Sequence, residues 1–154
     1  MNVDSSNIIV SADLADLEQI CQWVDQLGNR WELPHNTLFA IQLCCEEGFS
    51  NVARHGSIHK DQDHSESNQV LLKLNLKEDE VNLEIEDQGI PFNPLTMPPP
   101  QTPKSIDEVK VGGLGVHLMK KFSSKINYER RGHLNHLSIH FSLFSPTNSL
   151  ASTH

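Results

Sequence analysis

Nowhere does the sequence approach the ~20 consecutive apolar residues that a membrane-spanning helix needs, so such a helix is excluded. The amino terminus, MNVDSSNIIVSADLADLEQ, also lacks the cationic start and long apolar segment of a signal peptide. The chain is therefore expected in the cytoplasm, without membrane contact. Cysteines number only three. Cys44 and Cys45 are adjacent and Cys21 is distant, which makes no disulfide framework and reads as small buried hydrophobes. Positive charge is scarce as well: 12 Lys and Arg stand against 20 Asp and Glu, a net charge of -8 with His neutral. That balance argues against a nucleic-acid surface, which needs a basic patch, but it does not exclude a basic protein partner. The Walker pattern GxxxxGK[ST] does not occur, so the chain has no P-loop.

What is present suits one compact domain. The chain has 154 residues, 37% of them hydrophobic, enough for a sizeable core. Residues 1–144 are expected to form that domain, and residues 145–154 a disordered tail. Residues 7–11 (NIIVS) read as a strand. Leu14, Leu17, Ile20, Cys21, Val24 and Leu27 then recur at helical spacing, with Gly28 as the expected carboxyl-terminal cap. A second helix is expected over residues 34–54, opened by Pro34. The polar stretch 57–68 reads as a loop. Val70, Leu72, Leu74 and Leu76 alternate, as do Val81, Leu83 and Ile85, which predicts a hairpin turning at Glu78, Asp79 and Glu80. Five prolines between Pro91 and Pro100 break the pattern, and residues 87–111 read as a long loop of the kind that is usually functional or mobile. A third helix follows from the glycine turn at 112–115, then strands near 125–130 and 136–144. His136 and His140 fall on one strand face and read as exposed residues rather than metal ligands. The expected fold class is an α/β two-layer sandwich: a mixed, largely antiparallel sheet with helices on one face.

Three short patterns carry chemistry. On the second helix, at about 100° per residue, Leu38, Ile41, Cys45, Phe49 and Val52 make the core stripe. Glu47 and Asn51 lie together on its margin, continued by Ala40 and Cys44, whose small side chains leave room beside the helix. Glu46 points to the other flank. A carboxylate and an amide oxygen one turn apart suit a phosphate-bound magnesium and a general base. They also suit an ordinary solvent-facing pair. Next, EDQGIPFNP follows a strand. There Asp87 can accept from an adenine amine, Gly89 admits a ligand to the backbone, and Pro91 and Phe92 cover the turn. An ordinary strand-to-loop turn reads the same way. Last, Gly112, Gly113 and Gly115 precede a helix, where backbone N–H groups favour phosphates. A plain tight turn is the other reading.

Taken in order, the three patterns are far more specific than any one. EEGFSNVARHG, EDQGIPFNP and VGGLGVHLMKKFSSKINYERR resemble the N box and the two glycine boxes of the anti-sigma-factor serine kinases of the GHKL ATPase superfamily, which have the Bergerat fold. The resemblance spans roughly residues 8–144. It implies ATP and Mg²⁺ as cofactors, with Glu47 as general base and Asn51 as metal ligand. It implies adenine recognition by Asp87 with Gly89, and Phe92 and His55 lining the pocket. Phosphate contacts would come from the turn of Gly112, Gly113, Leu114 and Gly115, and residues 93–111 would be the lid. Such proteins are serine/threonine kinases that phosphorylate a STAS-type antagonist and silence a sigma factor or similar partner, usually as homodimers. The proline-rich lid, with only Lys104 and Lys110 as cations, departs from the pattern. The other expectation for the same fold is a switch that binds ATP but transfers no phosphate.

Overall fold

A computed structural model describes residues 2–56, 69–96 and 114–143 of the chain. Strand β1 covers Asn2–Ser11, longer than the five residues expected. Asp13 caps the short 3₁₀ turn Leu14–Asp16 by accepting from the Ala15 N–H. Helix α1 then runs over Leu17–Arg30 and α2 over His35–Gly56. Strands β2 (Gln69–Lys77) and β3 (Glu80–Asp87) make the hairpin. Glu80 belongs to the strand, so the turn is tighter than expected. A second 3₁₀ turn covers Pro94–Thr96, and helix α3 runs over Leu114–Phe122. Strands β4 (Lys125–Arg131) and β5 (Leu134–Ser142) close the order. The expected loop at 57–68, the lid beyond residue 96, Gly112, Gly113 and the tail at 145–154 lie outside the described residues.

The sheet has the order β1-β2-β3-β5-β4, and every described pair is antiparallel. The helices cover one face. Ile20, Val24 and Leu27 of α1, Ile41, Cys44, Cys45 and Phe49 of α2, and Val116 and Met119 of α3 meet Leu72, Leu74, Leu83, Ile85, Leu137 and Ile139 of the sheet. Ala40 and Cys44 are therefore core residues, not a vacant margin: both are buried, and burial with the nearby Glu47 charge pushes the Cys44 thiol up to about 12. Gly28 does not cap α1. It lies inside the helix, where a Cβ would fall 2.6 Å from Leu38 Cδ1, so the glycine lets α1 and α2 approach. Helix α1 ends two residues later at Arg30, and Glu32 takes the left-handed backbone, φ 50°.

The other face of the sheet is polar and partly closed by its own side chains. His136 is 4% exposed, not the surface residue its strand position suggested. It sits 3.0 Å from Glu84 and 3.8 Å from Glu86. Asn75 donates to Glu84 at 2.9 Å, and Asn82 donates to Ser138 at 3.0 Å. Mutual hydrogen bonds offset much of the cost of burying these groups, although the buried Asn75 Oδ1 has no partner among the described residues.

Candidate functional site

A cleft of about 450 Å³ of empty space opens between α2 and the ends of β3 and β5. Helix α2 contributes Gly48, Asn51, Val52 and His55. These positions recur at three and four residues, so one helical face forms the wall. Ile85 and Leu137 form an apolar floor. Gly48 sets the depth, because a Cβ there would lie 2.5 Å from Ile85 Cδ1. Ile90, Phe92 and Pro94 close one side, and Tyr128 reaches in from β4. The His55 and Phe92 rings stack with centroids 3.9 Å apart. Burial, and secondarily the neighbouring Arg54, lower the His55 pKa and favour the uncharged ring against Phe92.

One rim of the cleft is a row of residues in register across the sheet. Asp87 pairs with Asn135, and Asn135 with Arg130. Asp87 Oδ1 accepts from the Gly89 N–H at 2.8 Å and from Asn135 Nδ2 at 3.0 Å. Gly89 is required here, since a Cβ would fall 2.9 Å from that oxygen. Arg130 Nη1 donates to the Gly89 carbonyl at 2.8 Å and fixes the turn from outside. Asp87 is 9% exposed, and its Oδ2 has no hydrogen-bond partner among the described residues. An acceptor so placed at the edge of an apolar cleft fits the exocyclic amine of an adenine.

At the other end, Glu47 stands one turn before Asn51 on α2. Its carboxylate presses on the first turn of α3, so that a Cβ at Gly115 would collide with Glu47 Oε2. The glycine therefore brings the helix start and the carboxylate together, and the bare backbone there suits phosphate oxygens. Asn51 is buried, and its Oδ1 accepts from Arg54 Nη2 at 3.2 Å. That oxygen is a hard ligand of the kind magnesium takes. Glu46 lies on the opposite flank, where it accepts from the Cys21 thiol at 3.4 Å.

The structure thus gathers Asn51, His55, Asp87, Gly89 and Phe92 around one cleft, with Glu47 and Gly115 in contact just beyond its described walls. Leu114 starts α3, while Gly112 and Gly113 fall outside the described residues. Sequence reasoning missed Asn135, Tyr128, Arg130 and Gly48. One signal was available: Asn135 is the polar first member of a core-facing alternation that continues with Leu137, Ile139 and Phe141.

A profile of the histidine kinase-like ATPase domain matches residues 10–141. The chain belongs to that family. An ATPase domain is one that binds ATP, in agreement with the motif resemblance. The chain is 27% identical over 119 residues to the serine/threonine-protein kinase BtrW of Bordetella bronchiseptica, across 76% of this chain and 79% of that one. Among solved structures, the RsbU and RsbW domains of a Mycobacterium tuberculosis protein superpose with a TM-score of 0.63 at 11% identity. That match covers 90% of this chain and spans 32% of the two-domain chain. The SiaB-SiaC complex from Pseudomonas aeruginosa gives a TM-score of 0.56 at 8% identity, over 92% of this chain and 90% of that one. At such identities the superpositions speak for the fold, and the family match speaks for the nucleotide. Among the described residues, no helix is long and apolar enough to cross a membrane.

Proposed function

We propose that this histidine kinase-like ATPase domain is a serine/threonine protein kinase acting on a STAS-type antagonist. In the same reading it sequesters a sigma factor or similar partner and works as a cytoplasmic homodimer. The observation that carries the kinase reading is the contact between Glu47 and Gly115, which sets a carboxylate against a bare helix start beside the cleft. BtrW, named a serine/threonine kinase, supports it from the side of the relatives.

In this reading Asp87 Oδ2 accepts from the adenine amine, Gly89 admits the ring, and Phe92 with His55 covers it. The helix start at Leu114 and Gly115 cradles phosphate, together with Gly112 and Gly113. Asn51 Oδ1 would be the protein ligand for Mg²⁺, and the metal, when bound, would supply charge neutralisation to the phosphates. Glu47 accepts the proton of the incoming serine or threonine hydroxyl. That oxygen bonds to the γ-phosphorus while the bond to the β–γ bridging oxygen breaks, and ADP leaves. Most of the catalysis is positioning and charge stabilisation.

The test uses the full chain, Mg-ATP and a STAS-type protein. Wild type is expected to transfer phosphate, and Glu47→Ala to bind ATP normally but transfer none. Intact ATP binding without transfer by wild type sinks the kinase reading. One observation favours the second reading, an ATP-dependent protein-binding switch without transfer: Arg54 already engages the Asn51 oxygen that the metal would use. Transfer by wild type eliminates that alternative.

A further inference from the structure

Asn135 lies on β5, 6% exposed, and touches four groups of the adenine end of the cleft. Its Nδ2 donates to Asp87 Oδ1 at 3.0 Å and to the Ile90 carbonyl at 2.8 Å. Its Oδ1 accepts from the Phe92 N–H at 3.2 Å and from the Tyr128 hydroxyl. The direction of the amide is not arbitrary. A carbonyl can only accept and a backbone N–H can only donate, so Ile90 and Phe92 alone decide which end is oxygen. The Tyr128 hydroxyl must then give its proton to Asn135, and the Asn135 amide must give one to Asp87.

Two consequences follow for the carboxylate. Oδ1 is filled by Gly89 and Asn135, which leaves Oδ2 of this cleft-lining residue as the acceptor without a partner among the described residues. The same amide also ties down the backbone at Ile90 and Phe92, the residues that wall the cleft beside that oxygen. We infer that Asn135, oriented by Tyr128, is the positioning residue for purine selection: it aims Asp87 Oδ2 at the 6-amino group and so makes the site discriminate adenine from purines without that amine. This inference rests on the adenine role of Asp87 proposed above.

The test compares two ligands, ATP and purine riboside triphosphate, which differs only in lacking the 6-amine. Dissociation constants are measured by calorimetry on the full chain. In wild type the missing amine is expected to weaken binding about tenfold, the scale of one hydrogen bond to a charged acceptor. Asn135→Asp keeps the size but replaces the donating NH₂ with an acceptor oxygen facing Asp87. It is expected to bring the two constants within about twofold of each other, the hydrogen bond of the amine being lost. A purely structural role would weaken both ligands together and leave their ratio at the wild-type value, and that result overturns the inference. Tyr128→Phe removes one orienting bond and no donor to Asp87. It is expected to lower the ratio part-way, and it carries the test if Asn135→Asp does not fold. An unchanged ratio in Tyr128→Phe then overturns the inference. A wild-type ratio of one overturns the adenine assignment itself, an outcome distinct from failure of the Asn135 step.

Discussion

The two ends of the cleft, proposed above to hold adenine and phosphate, are held by different means. At the adenine end, Asp87, Gly89, Ile90, Phe92, Tyr128, Arg130 and Asn135 are joined by a closed set of hydrogen bonds at the rim of three paired strands. At the phosphate end, Glu47, Asn51 and Gly115 stand on two helices, and the one described contact between those helices at the site is steric. A rim fixed by several buried hydrogen bonds tolerates little change in any partner. Two helix surfaces in van der Waals contact can separate slightly without breaking either helix. In the proposed function, recognition thus falls to the more rigid end of the cleft and transfer to the more adjustable one.

Gly115→Ala should break that comparison most visibly. The added methyl meets the Glu47 carboxylate, the far end of a flexible side chain, so the fold should survive while the base moves aside. Displacing a catalytic group by about 1 Å can cost roughly 100-fold. The expected result is a ~100-fold fall in phosphotransfer with little change in melting temperature and a much smaller fall in ATP affinity, since the methyl also borders the proposed phosphate cradle. Loss of ATP affinity by the same factor would mean that the two ends are not separable. Asp87→Asn attacks the other end. It keeps an oxygen but substitutes an NH₂ donor or a weaker amide acceptor, and ATP should bind about tenfold more weakly. Calorimetry measures it, and unchanged affinity would remove Asp87 from the adenine site.

Gly48 joins the two ends, because it sits on α2 between Glu47 and Asn51 and faces Ile85 on β3. Alanine is the better helix former by up to about 1 kcal/mol. Against that, a Cβ 2.5 Å from the buried Ile85 overfills a packed core, typically a cost of about 1–3 kcal/mol. Gly48→Ala should therefore destabilise the chain by roughly 1 kcal/mol net in a denaturant melt. It should reduce ATP affinity and transfer together, since α2 moves as a unit. An effect on only one of the two would show that α2 can tilt about the new methyl.

Much of this was legible from the residues. Alternation in β2, β3 and β5 and the apolar spacing of α1 and α2 gave those elements their type, while the 3₁₀ turns Leu14–Asp16 and Pro94–Thr96 were not foreseen, and the three motifs fall on the helix, strand end and helix start expected of them. What escaped was whatever depends on approach between elements. Gly28 has the look of a cap because glycine often ends helices, yet here it makes space for Leu38. Ala40 and Cys44 read as vacancy because they are small, but α2 is covered on a wider arc than a single stripe. Asn135 was passed over because its partners, Asp87, Ile90, Phe92 and Tyr128, are as far as 48 residues away in sequence. His136 escaped for the same reason, its partner Glu84 standing on β3, 52 residues away in sequence.

That His136 cluster offers the smallest and most selective way to sharpen the comparison, because it ties β3 to β5 from behind the adenine rim. Burial alone would raise the Glu84 pKa, but the hydrogen bonds from His136 and Asn75 outweigh it, and the value falls below the ordinary 4.5. A carboxylate with a lowered folded pKa stabilises the folded state fully above its unfolded value. That contribution fades as the pH drops from 4.5 through the folded value. Glu84→Gln should thus be less stable than wild type near neutrality by on the order of 0.5 kcal/mol. The difference should shrink as the pH falls below 4.5, where wild type itself loses the charge. Thermal melts of both proteins across that range measure it. If the network braces only the strands, ATP affinity at neutral pH should fall slightly in Glu84→Gln, while the position of Glu47 against Gly115, and hence the rate of transfer at saturating ATP, should not change. A slower transfer at saturation would mean that the back of the sheet reaches the phosphate end too, and the division between a rigid and an adjustable end would have to be redrawn around β3.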